Sequence, residues 1–531
     1  MSFCSLLLPI LVAAAPSAAD TVAVALFCDT GTREDSLLYR PDVGGDHVRR
    51  EECDAGRAAI DAINDKSDGA FDGLLPDTQL VPYVLFYNSS RCEPGNQEMR
   101  TAWGTLPVHP VASIGPGSDE CVEQAELFIH IYAVGAGSVV LSEASTGTDV
   151  YCQNLVRLSS PERVRNEALA AVASHYGWRD VAIVYDASDA WASDAARQFG
   201  VGLEARGGTI LGDACVRGSG TTMMDAADAS CSRLDEAGDL KGIRFEGMSA
   251  AVADSVLDAI VATGARIIYI AARPVDQRTL YERIAQTGKC SGAGYGLLSA
   301  WLSDDLFLGS DGTASADAVA GARGLLLPRE TVDTTGTVAQ TFLDARAPGL
   351  DTLACAGEVV DGVYCDVDGD AATLSGYGPQ IVDAVYTLAK ALDTMEAADR
   401  QDPDEVYDAI EELGDFEGFS GTVSLDDYED RVGPMTIVNV QLSPAGDGEP
   451  VFVNVGKVQG GAFALDFGAT VIFPGGTLDV PADQARPLAQ NGALAAGPGR
   501  ALPAALGLAL SWAFSQIRFI TQALSTSRSI I

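Results

Sequence analysis

The chain has 531 residues with 34 Lys or Arg against 74 Asp or Glu, a formal net charge of -40, and 47% of it is hydrophobic. That composition folds, and at roughly 150 residues per domain it has room for about three to four domains or lobes with cores of their own. A charge this negative repels phosphate backbones and anionic headgroups, which argues against nucleic acid as a partner and leaves a small molecule or a cation.

The first twenty residues, MSFCSLLLPILVAAAPSAAD, carry an apolar run from Leu6 to Ala15 and end in small side chains, the pattern of a secretory signal (1–19) cut after Ala19. No Lys or Arg precedes the run, so a misassigned start or a short buried strand is the alternative. Cleavage removes Cys4 and leaves ten of the 11 cysteines, with no C-x-x-C among them. Outside the cytosol that pattern points to disulfides rather than to metal. Cys355 with Cys365, Cys215 with Cys231 and Cys92 with Cys121 are the closely spaced candidates, with buried thiols as the alternative and connectivity left open. Asn88-Ser89-Ser90 is a glycosylation sequon.

In chain order, short apolar runs alternate with helical periodicities, as in parallel sheets covered by helices. A strand at Val22–Phe27 is followed by a helix around Cys53–Asn64 and strands near Leu80–Phe86 and Val111–Ile114. The last of these enters the turn Gly115-Pro116-Gly117-Ser118, after which Cys121, Ala125, Phe128 and Tyr132 recur at helical spacing. Ser138–Leu141 is the next strand. The alternation restarts after Leu158. A helix carries Leu169, Val172, Ala173 and Tyr176, then come strand Val181–Tyr185, a helix over Ala192–Ala205 and strand Thr209–Leu211. Val216–Glu246, rich in Gly, Ser and Asp, reads as an inserted loop. Beyond it lie helix Ala250–Ala262, strand Ile267–Ile270 and helix Gln277–Gln286. A third stretch has strand Gly324–Leu327, a helix with Val382, Val385, Ala389 and Leu392, and hairpin-like strands from Val423 to Phe467. Ala501–Ile517, uncharged between Arg500 and Arg518, just reaches the length of a bilayer span and is a candidate membrane anchor; an interfacial helix or a tail is the alternative.

Catalytic spacings such as H-E-x-x-H, G-x-S-x-G or a phosphate loop do not occur, and His47, His109, His130 and His175 share no ligand spacing. The expectation is therefore no enzyme, no cofactor and no metal. Gly292, Gly294 and Gly296 match a dinucleotide fingerprint only superficially, and the acidic run Asp426–Asp430 reads as a solvated loop before a calcium site.

Several stretches together resemble the extracellular ligand-binding region shared by natriuretic-peptide receptors, class C G-protein-coupled receptors and bacterial branched-chain amino-acid binding proteins. They are VASIGPGSDECVEQAELF at Val111–Phe128, VVLSEAST at Val139–Thr146, HYGWRDVAIVYDASDAWASDAARQF at His175–Phe199, QIVDAVYTLAKAL at Gln380–Leu392, GFSGTVSLDDYEDRVG at Gly418–Gly433 and IFPGGTLDVPAD at Ile472–Asp483. The resemblance implies an α/β fold: a bilobed clamshell of the periplasmic-binding-protein type I (Venus flytrap) kind, two parallel-sheet lobes with three inter-lobe crossings near Leu158, Leu325 and Phe416. The divisions are then 20–158 and 324–415 for lobe 1, 159–323 and 416–485 for lobe 2, a linker at 486–500 and the span at 501–517.

In such folds ligands sit beyond the carboxyl ends of parallel strands. Ser118, Asp119, Ser145 and Thr146 take those positions here, with helix capping as the competing role for Ser145 and Thr146. The resemblance implies that Trp191 stacks on the ligand, with lobe-surface packing as the alternative. Glu143 stands where some relatives carry an aromatic. The function expected is extracellular sensing of a small, amino-acid-like molecule by a secreted or membrane-tethered receptor domain, with a homodimer implied by the resemblance. Delivery of a solute to a transporter is the alternative, and an interaction module that has lost its ligand is a third.

Overall fold

A computed structural model describes residues 21–29, 47–87, 103–104, 106–132, 137–148, 150, 152–216, 224–225, 241–301, 304–308, 314–354, 377–444, 448–466 and 469–483. The elements in order are β1 (Thr21–Asp29), α1 (His47–Asn64), β2 (Gln79–Tyr87), β3 (Ala112–Ile114), α2 (Asp119–Tyr132), β4 (Val139–Ser142) and β5 (Leu155–Arg157). Then come α3 (Glu162–His175), β6 (Asp180–Asp186), α4 (Ala190–Ala205), β7 (Thr209–Leu211), β8 (Ala214–Val216), β9 (Met224–Asp225) and β10 (Ile243–Phe245). Next are α5 (Ala250–Thr263), β11 (Ile267–Ala271), α6 (Pro274–Thr287), β12 (Gly296–Ser299), α7 (Ala316–Ala322) and β13 (Leu325–Glu330). The remainder is α8 (Thr337–Ala354), α9 (Gly378–Thr394), α10 (Pro403–Glu411), β14 (Phe416–Gly418), β15 (Gly421–Val423), β16 (Met435–Leu442), β17 (Pro450–Gln459) and β18 (Ala462–Leu465).

These strands form two principal sheets. The smaller has the order β2-β1-β3-β4-β5, and every pairing in it is parallel. The larger runs β18-β17-β16-β13-β12-β11-β6-β10-β8-β9, with β7 on β6. Its centre from β13 to β10 is parallel, whereas β16, β17 and β18 continue from β13 in antiparallel register. The protein is thus α/β with one parallel sheet and one mixed sheet. The hairpins expected from Val423 onward are the reason the second is mixed: short connections can join only antiparallel neighbours.

Both sheets are apolar on both faces, which is why their strands read as unbroken hydrophobic runs. Along β1, Val22, Val24, Leu26 and Cys28 enter a core with α1, α8, α9 and α10, while Ala25 and Phe27 enter another with Trp103 and α2. Along β11, Ile267, Tyr269 and Ala271 meet α3 and α4, and Ile268, Ile270 and Ala272 meet α5, α6 and α7. The period-two alternation of a strand distributes these residues.

Buried ion pairs tie distant segments together. The carboxylate of Asp383 on α9, fully buried, accepts from Arg431 Nη1 at 2.9 Å, from Phe419 N at 2.5 Å, from Ser420 N at 3.3 Å and from the Ser420 hydroxyl. Arg431 also donates to Leu158 O at 3.2 Å and Thr422 O at 3.1 Å. One turn before Asp383 on α9, Gln380 Nε2 donates at 2.9 Å to Glu330 at the end of β13, which also accepts from Ser160 N at 2.6 Å and Arg165 Nη2 at 2.9 Å. The acidic run read as a solvated loop is instead paired with arginines: Asp426 binds Arg163, and Asp430 lies 3.3 Å from both Arg157 and Arg163.

Several elements escaped the sequence reading. Strand β12 begins at Gly296, the last of the glycines that mimic a nucleotide fingerprint, and β10 closes the segment read as an inserted loop. No helix among the described residues is long and apolar enough to cross a membrane, and Ala501–Ile517 lies outside them, as do the leader and Asn88.

Removing one partner of a buried pair strands the other charge in a dry interior. Asp383→Ala should therefore lower unfolding free energy by about 3–5 kcal/mol in urea titrations; a loss below about 1 kcal/mol would mean that Arg431 finds solvent.

Candidate functional site

The smaller sheet contributes two loops from the carboxyl ends of adjacent strands. The loop after β3 delivers Asp119 as the first residue of α2, and the loop after β4 carries Ser145, Thr146, Gly147 and Thr148. Asp119 Oδ1 accepts from Ser145 Oγ at 2.6 Å, Thr146 N at 3.0 Å and Gly147 N at 3.1 Å, so one carboxylate fastens the second loop to the first. A Cβ on Gly147 would lie 2.6 Å from Asp119 Oδ2, which leaves only glycine room there. Ser118 caps α2 by accepting from Cys121 N at 3.4 Å. Ser142, fully buried, donates to Pro116 O at 2.8 Å and accepts from Ser145 N at 3.1 Å.

The same loop reaches helices that cover the larger sheet. Thr148 donates to Asp194 on α4 through its backbone N at 2.9 Å and its hydroxyl at 2.6 Å. Thr146 O accepts from Glu162 N at 2.7 Å. Glu162 opens α3 with its side chain fully buried, and its oxygens accept from Trp191 Nε1 at 2.8 Å and Asn166 Nδ2 at 2.8 Å. Asn166 Oδ1 in turn accepts from Tyr269 OH at 2.5 Å, whose ring stacks on Phe199 with centroids 4.0 Å apart. Burial is the largest influence on Glu162 and pushes its carboxyl up to about 7; Arg165 and the hydrogen bonds from Trp191 and Thr146 oppose it, and Asp194 adds to it.

The larger sheet presents a matching edge. Strands β12, β11 and β6 are neighbours, and each is followed within two to five residues by large or charged side chains. After β6 come Asp189 and Trp191, after β11 Arg273, and after β12 Trp301. The two indoles meet edge to face, centroids 4.8 Å apart and planes at 89°. The Arg273 guanidinium carbon lies 5.4 Å from the Trp191 ring centre and 5.3 Å from that of Trp301. Arg273 is also ion-paired through Nε with Asp189, which caps α4 by accepting from Ala192 N at 3.1 Å. Asp186 ends β6, and Asp276 in the first turn of α6 is raised by burial first and then by the charges of Asp186 and Asp189.

Of the residues singled out from sequence, Asp119, Ser145, Thr146 and Trp191 fall into one hydrogen-bonded chain through Glu162, and Ser118 caps the helix beside it. Ser145 is fully buried, with Thr146 at 5% and Trp191 at 7% exposure. Glu162, Asp194, Asp189, Arg273 and Trp301 were missed. The signal that finds the last three is positional: each stands one to three residues past a parallel strand, but β12 must be recognised first.

Among the cysteines, Cys28 on β1 is joined to Cys53 on α1, a pair not anticipated. Cys121 and Cys215 are also disulfide-bonded; Cys92, Cys231, Cys355 and Cys365 lie outside the described residues. Among the described residues no group of three or more His, Cys, Asp or Glu is arranged to hold a metal ion. A scan against models of protein families finds no match to this chain, and a search of curated proteins finds none.

Glu162 offers a pH test. Its folded value, about 7, stands above the ordinary 4.5, so the native state holds an extra proton between the two. The stability this confers is complete below pH 4.5 and disappears as pH rises through about 7. Relative to wild type, Glu162→Gln should gain up to about 3 kcal/mol across that window in denaturation series; parallel profiles for the two proteins would contradict the assignment.

Proposed function

We propose that the chain is the ligand-binding region of an extracellular sensor, a two-lobed α/β clamshell that closes around a small molecule, as the resemblance to receptor ligand-binding regions and periplasmic binding proteins implies. The observation that carries the reading is the pair of carboxyl-end edges: Asp119 and Ser145–Thr148 from one sheet, Asp189, Trp191, Arg273 and Trp301 from the other. Direct contacts of Thr148 with Asp194 and of Thr146 with Glu162 link these edges. Open α/β sheets bind ligands at such edges, where loops expose backbone N–H groups and side chains converge.

The crossings expected near Leu325 and Phe416 fall later in this reading, since β13 pairs within the larger sheet and Phe419 and Val423 pack with the smaller. The hinge would then be formed by 158–161 between β5 and α3, 331–336 between β13 and α8, and 424–434 between β15 and β16. The Asp383–Arg431 and Glu330–Arg165 clusters clasp them side by side, which lets them bend together while staying in register. Closure is then a matter of differential affinity, because a ligand that touches both edges binds the closed arrangement better than the open one. Thr148–Asp194 acts as a latch in the closed arrangement. An oxidising compartment fits the disulfides at Cys28, Cys53, Cys121 and Cys215.

A thermal-shift screen of amino acids, amines and peptides tests the reading. A binder present at 100 times its Kd should add about 2.7 kcal/mol to native-state stability and raise Tm, and Trp191→Ala should erase the shift. Broad panels without any shift would instead favour an interaction module; a shift that survives Trp191→Ala removes that residue from the site.

A further inference from the structure

Arg273 occupies a position that a ligand cation would be expected to take. Its guanidinium sits in the right-angled corner of Trp191 and Trp301, 5.4 and 5.3 Å from their ring centres, with Asp189 as counter-ion. The faces of two indoles and a carboxylate are what an organic cation binds. Yet this resident is loosely held: its side chain is 40% exposed, it caps nothing by side chain at the start of α6, and its one ion pair is near the surface. The cage wall, in contrast, is fixed. Trp191 is buried and held by Glu162, and Asp189 is held by its capping bond to Ala192 N.

We propose that the Trp191–Trp301 corner is a recognition site for organic cations of the guanidinium or alkylammonium class, and that Arg273 is a built-in competitor which the ligand displaces into solvent. The proposal rests on the ligand-binding reading above and names the chemical class that site takes.

The rival reading has Arg273 and the buried Trp301 Nε1, which has no hydrogen-bond acceptor, jointly receiving a ligand carboxylate. Charge decides between them. Asp189 is the carboxylate that meets this arginine, Asp186 and Asp189 act on the neighbouring Asp276, and the chain carries a net charge of -40, so an arriving anion meets excess negative charge and an arriving cation is drawn in. Arg273 is moreover already neutralised by Asp189, which leaves it little to offer a carboxylate.

The two readings predict opposite effects of one substitution. With the full chain, isothermal titration of butylguanidinium and tetramethylammonium, with butyrate as the anionic control, separates them. Arg273→Ala should bind the cations about tenfold more tightly than wild type, because the competing cation–π contacts and ion pair are gone. Arg273→Gln, which keeps bulk and polarity, should do the same. Trp301→Ala placed on Arg273→Ala should abolish binding, with circular dichroism confirming the fold. Unchanged or weaker cation binding by both Arg273 variants overturns the proposal, as does butyrate binding that Arg273→Ala removes. Tight cation binding by Arg273→Ala without any change in radius of gyration by X-ray scattering upholds the cage and contradicts closure, so the two readings fail separately.

Discussion

The structure depends on a buried carboxylate, Asp383, that cannot be left alone. On α9 it is cut off from solvent, so the chain must bring it donors, and it brings them from two places, the turn at Phe419 and Ser420 and the arginine at 431, which in turn donates to the carbonyl of Leu158. A charge buried in this way is stable only when it is paired and its remaining lone pairs are used. The requirement draws together segments more than 200 residues apart in sequence. Glu330 repeats the device one step away with Ser160, Arg165 and Gln380. The sheets rest mainly on apolar burial, with polar exceptions in the larger one such as Asn439 on β16, which donates to Leu325 O and Ile472 O, and Arg244 on β10, which pairs with Asp213. The polar clasps sit where the chain leaves one core for another, and that is where directional bonds add most to a fold already held by apolar area.

The edges of the two sheets obey the same logic. A loop that leaves a parallel strand exposes backbone donors, and in this chain Asp119 receives those of Thr146 and Gly147 while Thr148 turns to Asp194. Each of these backbone donors meets a carboxylate. On the facing edge the match is between charge and ring: Arg273 against two indoles and Asp189.

Much of the fold was legible in the sequence because buried parallel strands announce themselves as unbroken apolar runs. Thr21–Asp29, Asp180–Asp186 and Ile267–Ala271 were each placed within a residue or two. Gly296–Ser299 was passed over because its glycines were weighed only against a nucleotide fingerprint, and Trp301 beyond it was passed over too, whereas the equally short Thr209–Leu211 was placed. Helix α8 was not anticipated; its sequence includes Pro348 and Gly349, residues that weaken a helical pattern. Candidate residues on the smaller sheet were found because Gly-Pro-Gly-Ser and Ser-Thr mark loop ends. Glu162 and Arg273 were not, since their roles arise from partners 29 and 84 residues distant, and no local spacing encodes that. The disulfide from Cys28 to Cys53 was overlooked for a related reason: a strand and the following helix bring together cysteines that a search for short loops passes over.

The proposed clamshell requires two hinged halves that meet along these edges and move relative to one another. Spin labels on exposed positions of the two halves, Asp61 on α1 and Asp258 on α5, allow pulsed electron paramagnetic resonance to read the separation directly. The account predicts two populations of distance, with the longer one enriched when Asp194→Ala removes the latch to Thr148. A single narrow distance, the same with and without the latch, would contradict it.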